Sequence, residues 1–126
     1  MVKDMLEELY TALKADEGLK DITIKSFKRP ETLANDLPSI VIKPVISPMQ
    51  SARASDTSLA KKFVYQINAE SISRKEAKGL QKRIEVVMEN NGFFQIEGGL
   101  EDYVEDIKRY VDARTYRGFS RLYEDY

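Results

Sequence analysis

At the start of the chain the apolar positions Val2, Met5, Leu6, Leu9, Tyr10 and Leu13 recur every three or four residues. That spacing puts them on one face of a helix. Asp4, Glu7 and Glu8 lie early, where the helix dipole favours negative charge, and Gly18 after Asp16-Glu17 is the predicted stop. From Asp21 to Phe27 the period changes to two, with Ile22 and Ile24 alternating with polar neighbours as in a half-buried strand. Arg29-Pro30 ends it, and residues 30–37 read as a loop. Ser39 to Ile46 is a β-branched run that predicts a well-covered strand. Pro44 cannot donate a ladder hydrogen bond and marks an edge, a bulge or the strand's end.

Residues 47–58 are mostly small or polar and predict a mobile loop, one that orders when a neighbouring subunit covers it or serves only as a surface connection. Lys62 to Ser71 then alternates cleanly: Phe63, Tyr65, Ile67 and Ala69 share one face, and Val64, Gln66, Asn68 and Glu70 the other. Ser73-Arg-Lys-Glu76 is a capping box, which opens a helix burying Ala77, Leu80, Ile84, Val87 and Met88. Asn90-Asn91-Gly92 ends that helix, and Gly79 within it suggests close contact with another element. Phe93 to Ile96 reads as a short strand, Gly98-Gly99 as a turn, and Arg109 to Tyr116 as the last strand. The predicted order is α-β-β-β-α-β-β. Two amphipathic helices can cover one face of a four- to five-stranded, mostly antiparallel sheet, which makes this a single α+β domain over residues 1–126. The other sheet face is then exposed unless a partner covers it.

Composition changes the picture mainly by exclusion. With 126 residues, 42% hydrophobic and 33% charged, the chain has the make-up of one soluble globular domain. Its formal charge of -1 supplies no global field for nucleic acid, and no apolar run is long enough to span a bilayer. There is no cysteine, which removes disulfides and thiol chemistry, and no histidine, which removes the commonest general base and metal ligand. No Gly-rich phosphate loop occurs. The acidic residues Glu97, Glu101, Asp102, Glu105 and Asp106 lack calcium-loop spacing and read as a solvated, charged segment. The expectation is a protein without cofactor or metal and without catalytic function.

The end of the chain, GFFQIEGGLEDYVEDIKRYVDARTYRG, carries the most specific signal. It resembles the C-terminal signature of small tail-component proteins of siphophages and prophages of Gram-positive bacteria, of the tail-terminator or tail-completion type. In that signature a Gly-Phe closes a helix, here Gly92-Phe93. A variable loop follows, and a final strand carries Ala-Arg-x-Tyr-Arg-Gly, here Ala113 to Gly118. The resemblance covers the last third of the chain, and the order of elements agrees with it. It implies a structural virion protein that caps the tail tube at its head-proximal end and contributes to head-tail joining. The implied partners are further copies in a ring of six, the major tail tube protein and the head-tail connector. The location would be the virion tail, assembled in the cytoplasm of a bacterial host. Other readings stay open: another neck component, a small bacterial α+β regulatory or ligand-binding domain, or an acid-base enzyme using Glu, Asp, Lys or Tyr.

Tyr110, Asp112, Arg114 and Tyr116 alternate with the smaller Val111, Ala113 and Thr115 on the last strand. Taking the small apolar set as core-facing turns the Tyr and Arg residues outward, where such residues are enriched at interface hot spots. The competing reading is a ladder packed on its own sheet neighbours. Arg117 extends the row. Met49 and Arg53 of the 47–58 segment are further candidate contacts, as are Phe119 and Tyr123 of the apolar tail 119–126. A free terminus that apolar either folds back or docks on a partner.

Overall fold

In the computed structural model the described residues form two helices and six strands, in the order α1 (Met5–Ala15), β1 (Thr23–Ser26), β2 (Ser39–Pro44), β3 (Met49–Ala54), β4 (Thr57–Ser71), α2 (Arg74–Asn90), β5 (Phe94–Val104) and β6 (Arg109–Phe119). The structure describes residues 2–28, 36–54, 57–121 and 125–126, without the side chains of 51–54 and 57–59. Most of the predicted loop 30–37, the Arg53 side chain and Tyr123 therefore lie outside the described residues.

The α+β class and the helix-covered sheet are as the sequence predicts, with one strand more than the upper expected count. The six strands form a single sheet with the order β1-β2-β4-β6-β5, and β3 also pairs with β4. Only β1 with β2 is parallel among the pairings of the described residues. β4 organises the sheet because it is long. Its second half pairs with β2 on one edge and β6 on the other, while its first half pairs with β3. Ser120 fastens the end of β6 to β4, its amide donating to the Lys61 carbonyl and its Oγ accepting from the Lys61 amide.

Both helices lie over one face, and the main core sits between them and the sheet. Met5, Leu9 and Leu13 of α1 and Leu80, Ile84, Val87 and Met88 of α2 pack on Phe63, Tyr65, Ile67 and Ala69 of β4. The alternation predicted for β4 therefore sorts its faces correctly. Asp4 caps α1, accepting from the Leu6 amide. Asp16 ends it, accepts from the Gly18 amide, and forms a forked ion pair with Arg83 of α2. In the predicted capping box the Ser73 hydroxyl accepts from the Glu76 amide at 3.3 Å. The return bond is different: Glu76 accepts from the Ser71 hydroxyl, which in turn accepts from the Ser73 amide. At the far end of the chain Tyr126 meets Phe63 edge-on, and the Asp125 carbonyl accepts from the Lys3 amide. The described end of the tail thus folds back on the domain.

Three local expectations are corrected. The segment 47–58 is not a structureless connection, because Met49–Ala54 forms β3 and folds onto the first half of β4 with register shifts on either side of Ala52. Small, polar residues weaken the sequence signal of a strand whose order comes from ladder hydrogen bonds. Gly98-Gly99 is not a turn. It lies within β5, where the register with β6 shifts between Ile96 and Leu100, and Gly98 takes a φ of 111°. The turn comes later, between Val104 and Arg109, with Lys108 at positive φ. Gly79 has no neighbour that a Cβ would meet within 4 Å, so it makes no close contact.

Candidate functional site

The Tyr/Arg row of β6 faces inward, opposite to expectation. Register decides this: Tyr116 lies opposite Tyr65, Arg114 opposite Ile67 and Asp112 opposite Ala69, and those β4 residues belong to the helix-covered core. Directly paired residues of an antiparallel ladder present their side chains to the same face. Tyr116 is fully buried. Its hydroxyl donates to Gln81 Oε1 at 2.8 Å, while Gln81 Nε2 donates to the carbonyls of Ile67 and Asp112 at 3.0 and 2.7 Å. Burial raises the Tyr116 pKa, and burial likewise raises that of Tyr65.

Beside this network the Arg114 Nε donates to Asp112 Oδ1 at 2.7 Å, and that hydrogen bond holds the guanidinium pKa above its ordinary value. Glu101 accepts from Lys78 at 3.3 Å, the main reason its carboxyl lies below the usual range, and Arg114 adds a longer contact. Tyr110 meets Tyr103 edge-on across the β5–β6 ladder. Of the side chains expected to meet a partner, Tyr116 instead pins α2 to β6 through Gln81, while Arg114 pairs with Asp112 and Glu101 and Tyr110 packs on Tyr103; Gln81 is the member the sequence reading missed. Its signal was present, since position 81 falls one turn after Ala77 on the apolar face of α2. Arg109, also missed, is buried and donates to the Leu37 and Glu70 carbonyls, tying the start of β6 to the approach to β2.

The other predicted contacts come together on the opposite face. Lys62 lies between Met49 and Phe119 in the register, and Arg117 lies between Val64 and Phe94. All of these side chains point away from the helices, because their neighbours Phe63 and Tyr65 point toward them. Met49, Phe94 and Phe119 are 48%, 58% and 50% exposed. Lys62 and Arg117 form no ion pair among the described residues. Of the sequence candidates, Met49, Arg117 and Phe119 therefore share one surface, while Tyr110, Asp112, Arg114 and Tyr116 are on the other face. Lys62 and Phe94 complete the surface and were not anticipated.

Exposed aromatic and thioether groups beside an arginine are residue types enriched at protein interfaces. A shallow cleft of about 320 Å³ between α2 and the β5–β6 hairpin, lined by Arg74, Glu101, Tyr103 and Tyr110 among others, sits at the lower limit of small-molecule sites. Among the described residues no acidic cluster is placed to hold a metal ion, and no helix is long and apolar enough to cross a membrane.

No protein-family model matches the sequence, and no curated protein matches it either. Its fold is similar to that of a chain in a solved structure described as the virion of a native gene transfer agent particle. The two agree with a TM-score of 0.55 over 90% of each chain, at 12% sequence identity.

Proposed function

We infer that this chain is a structural subunit of a phage or phage-derived particle. Within it, the chain caps the tail tube at the head-proximal end and contributes to head-tail joining. The observation that carries the reading is the exposed face formed by Met49, Phe94 and Phe119 with Lys62 and Arg117, an apolar and cationic surface suited to a protein partner. The C-terminal motif from Gly92 to Gly118 and the likeness in fold to a chain of a gene transfer agent virion support it.

On this reading the chain acts by assembly. Copies form a ring, six to match the tube, that stops tube growth and offers a surface to the connector, in the virion tail. It has no catalytic role. Without His or Cys, proton transfer and nucleophilic attack would fall to Lys, Tyr and carboxylates. Burial pushes the Tyr65 and Tyr116 hydroxyls away from the range useful near neutral pH.

The test is a tube-growth assay followed by electron microscopy. Wild-type protein is expected to fix tube length and sit at one end. A Phe94→Ser, Phe119→Ser double variant is expected to melt like wild type and leave tubes overlong. A wild-type chain that ignores tubes overturns the reading, and so does a double variant that still caps them.

A further inference from the structure

We propose that the cationic end of the sheet in one copy receives the acidic β5–β6 turn of a second copy, making a head-to-tail contact. The proposal deepens the assembly reading and rests on it for its setting. Its basis is the sorting of unpaired charge along the sheet. Lys62, Arg117 and Arg121 lie near the end where β6 leaves the sheet, and none forms an ion pair among the described residues. Asp102, Glu105 and Asp106 lie at the opposite end, exposed, and none meets a cation among the described residues; the exposed Lys108 of the same turn leaves that end net negative.

At about 3.3 Å per residue, Arg117 and Arg109 are about 26 Å apart along β6. That is roughly three Debye lengths at physiological salt, so the two ends do not neutralise each other within one molecule. A second copy carries the missing sign, and the formal charge of -1 shows that the two kinds of charge nearly balance over the chain.

Each end also offers apolar surface to be covered. Met49, Phe94 and Phe119 flank the cations, and Leu100 stands 58% exposed beside Asp102 on the same sheet face. Because the ends are apart, each copy can hold one neighbour by each end, a heterologous contact that closes into a ring or continues. A two-fold, face-to-face pair would satisfy both ends at once and stop at a dimer. Glu105 and Asp106 lie beyond the last ladder pair, Val104 with Arg109, and so project off the end of the face rather than from it. That placement favours end-on docking.

Sedimentation velocity of the full chain over a concentration series reads the contact. Wild type is expected to form species larger than a dimer, with affinity falling about tenfold or more as salt shortens the Debye length. The double reversals Lys62→Glu with Arg117→Glu, and Asp102→Lys with Asp106→Lys, are each expected to melt like wild type and remain monomeric alone. Mixed in equal amounts they are expected to associate again, since each restores the sign the other lost. The contact is overturned by a wild type that stays monomeric throughout, by association that stops at a dimer, by reversals that associate like wild type, or by a mixture that stays monomeric. Tube capping by the same wild-type sample separates this from the broader reading. Capping without head-to-tail association leaves the function standing and removes the contact, while association without capping does the reverse.

Discussion

The hydroxyl of Tyr116 on β6 donates to the side-chain carbonyl of Gln81 on α2 across 2.8 Å, and both residues are buried. The bond closes a chain in which the Gln81 amide spans the carbonyls of Ile67 and Asp112, so one side chain holds α2 against two neighbouring strands. A buried amide with its acceptor and donors all engaged is fully satisfied, and removing one partner leaves a desolvated group behind.

Tyr116→Phe keeps the ring and deletes the bond, leaving Gln81 Oε1 without its donor. The expected cost is about 1–3 kcal/mol, read from urea unfolding. Tyr116→Ala also empties the volume of the ring and should cost about 3–5 kcal/mol. An alanine variant within about 0.5 kcal/mol of wild type, the range of surface changes, would show that the residue is not part of the core.

Two glycines should respond to alanine in opposite directions. A Cβ on Gly118 would stand 2.6 Å from Cγ of the Phe93 ring, which is itself buried against the core. Gly118→Ala is expected to destabilise by about 1–3 kcal/mol through overpacking. Gly79 lies inside α2 with open space around its Cβ position, so Gly79→Ala should stabilise by about 0.5–1 kcal/mol. Melting curves of the two variants that shift the same way would contradict this placement of β6 and α2.

Glu101 has its carboxyl pKa lowered, chiefly by the hydrogen bond from Lys78. A folded-state pKa below the unfolded value, about 4.3 for Glu, contributes stability that is present above that value and lost as pH falls through the folded pKa. An NMR titration of the Glu101 carboxyl carbon should find its midpoint below the ordinary Glu range, and Lys78→Met should move it up. A midpoint at or above about 4.3 in the wild type would contradict the Lys78 contact.

The elements whose residues face a single environment were legible from spacing. In α2 the set Ala77, Leu80, Ile84, Val87 and Met88 is buried as predicted, and β4 sorts Phe63, Tyr65, Ile67 and Ala69 onto the core side. β3 was not legible. Its side chains carry little apolar signal, and its order is set by backbone pairing with the first half of β4. Gly98-Gly99 was misread for a related reason: a Gly pair is compatible with a turn or with a bulge, and only the continuation of the β5–β6 ladder from Leu100 to Val104 selects the bulge.

By itself the sequence determined the class, the two helices and the alternation along β4 and β6, because each of these follows from periodicity within one segment. Only the tertiary structure decided which way β6 faces. Alternation says that Tyr116 and Arg117 point to opposite sides, but not which side the helices cover. The pairing of Tyr116 with Tyr65 and of Arg117 with Val64 settles it, turning Tyr116 into the core and leaving Arg117 exposed on the opposite face with Phe94 and Phe119. Face identity is a property of register between strands distant in the chain, and no single strand encodes it.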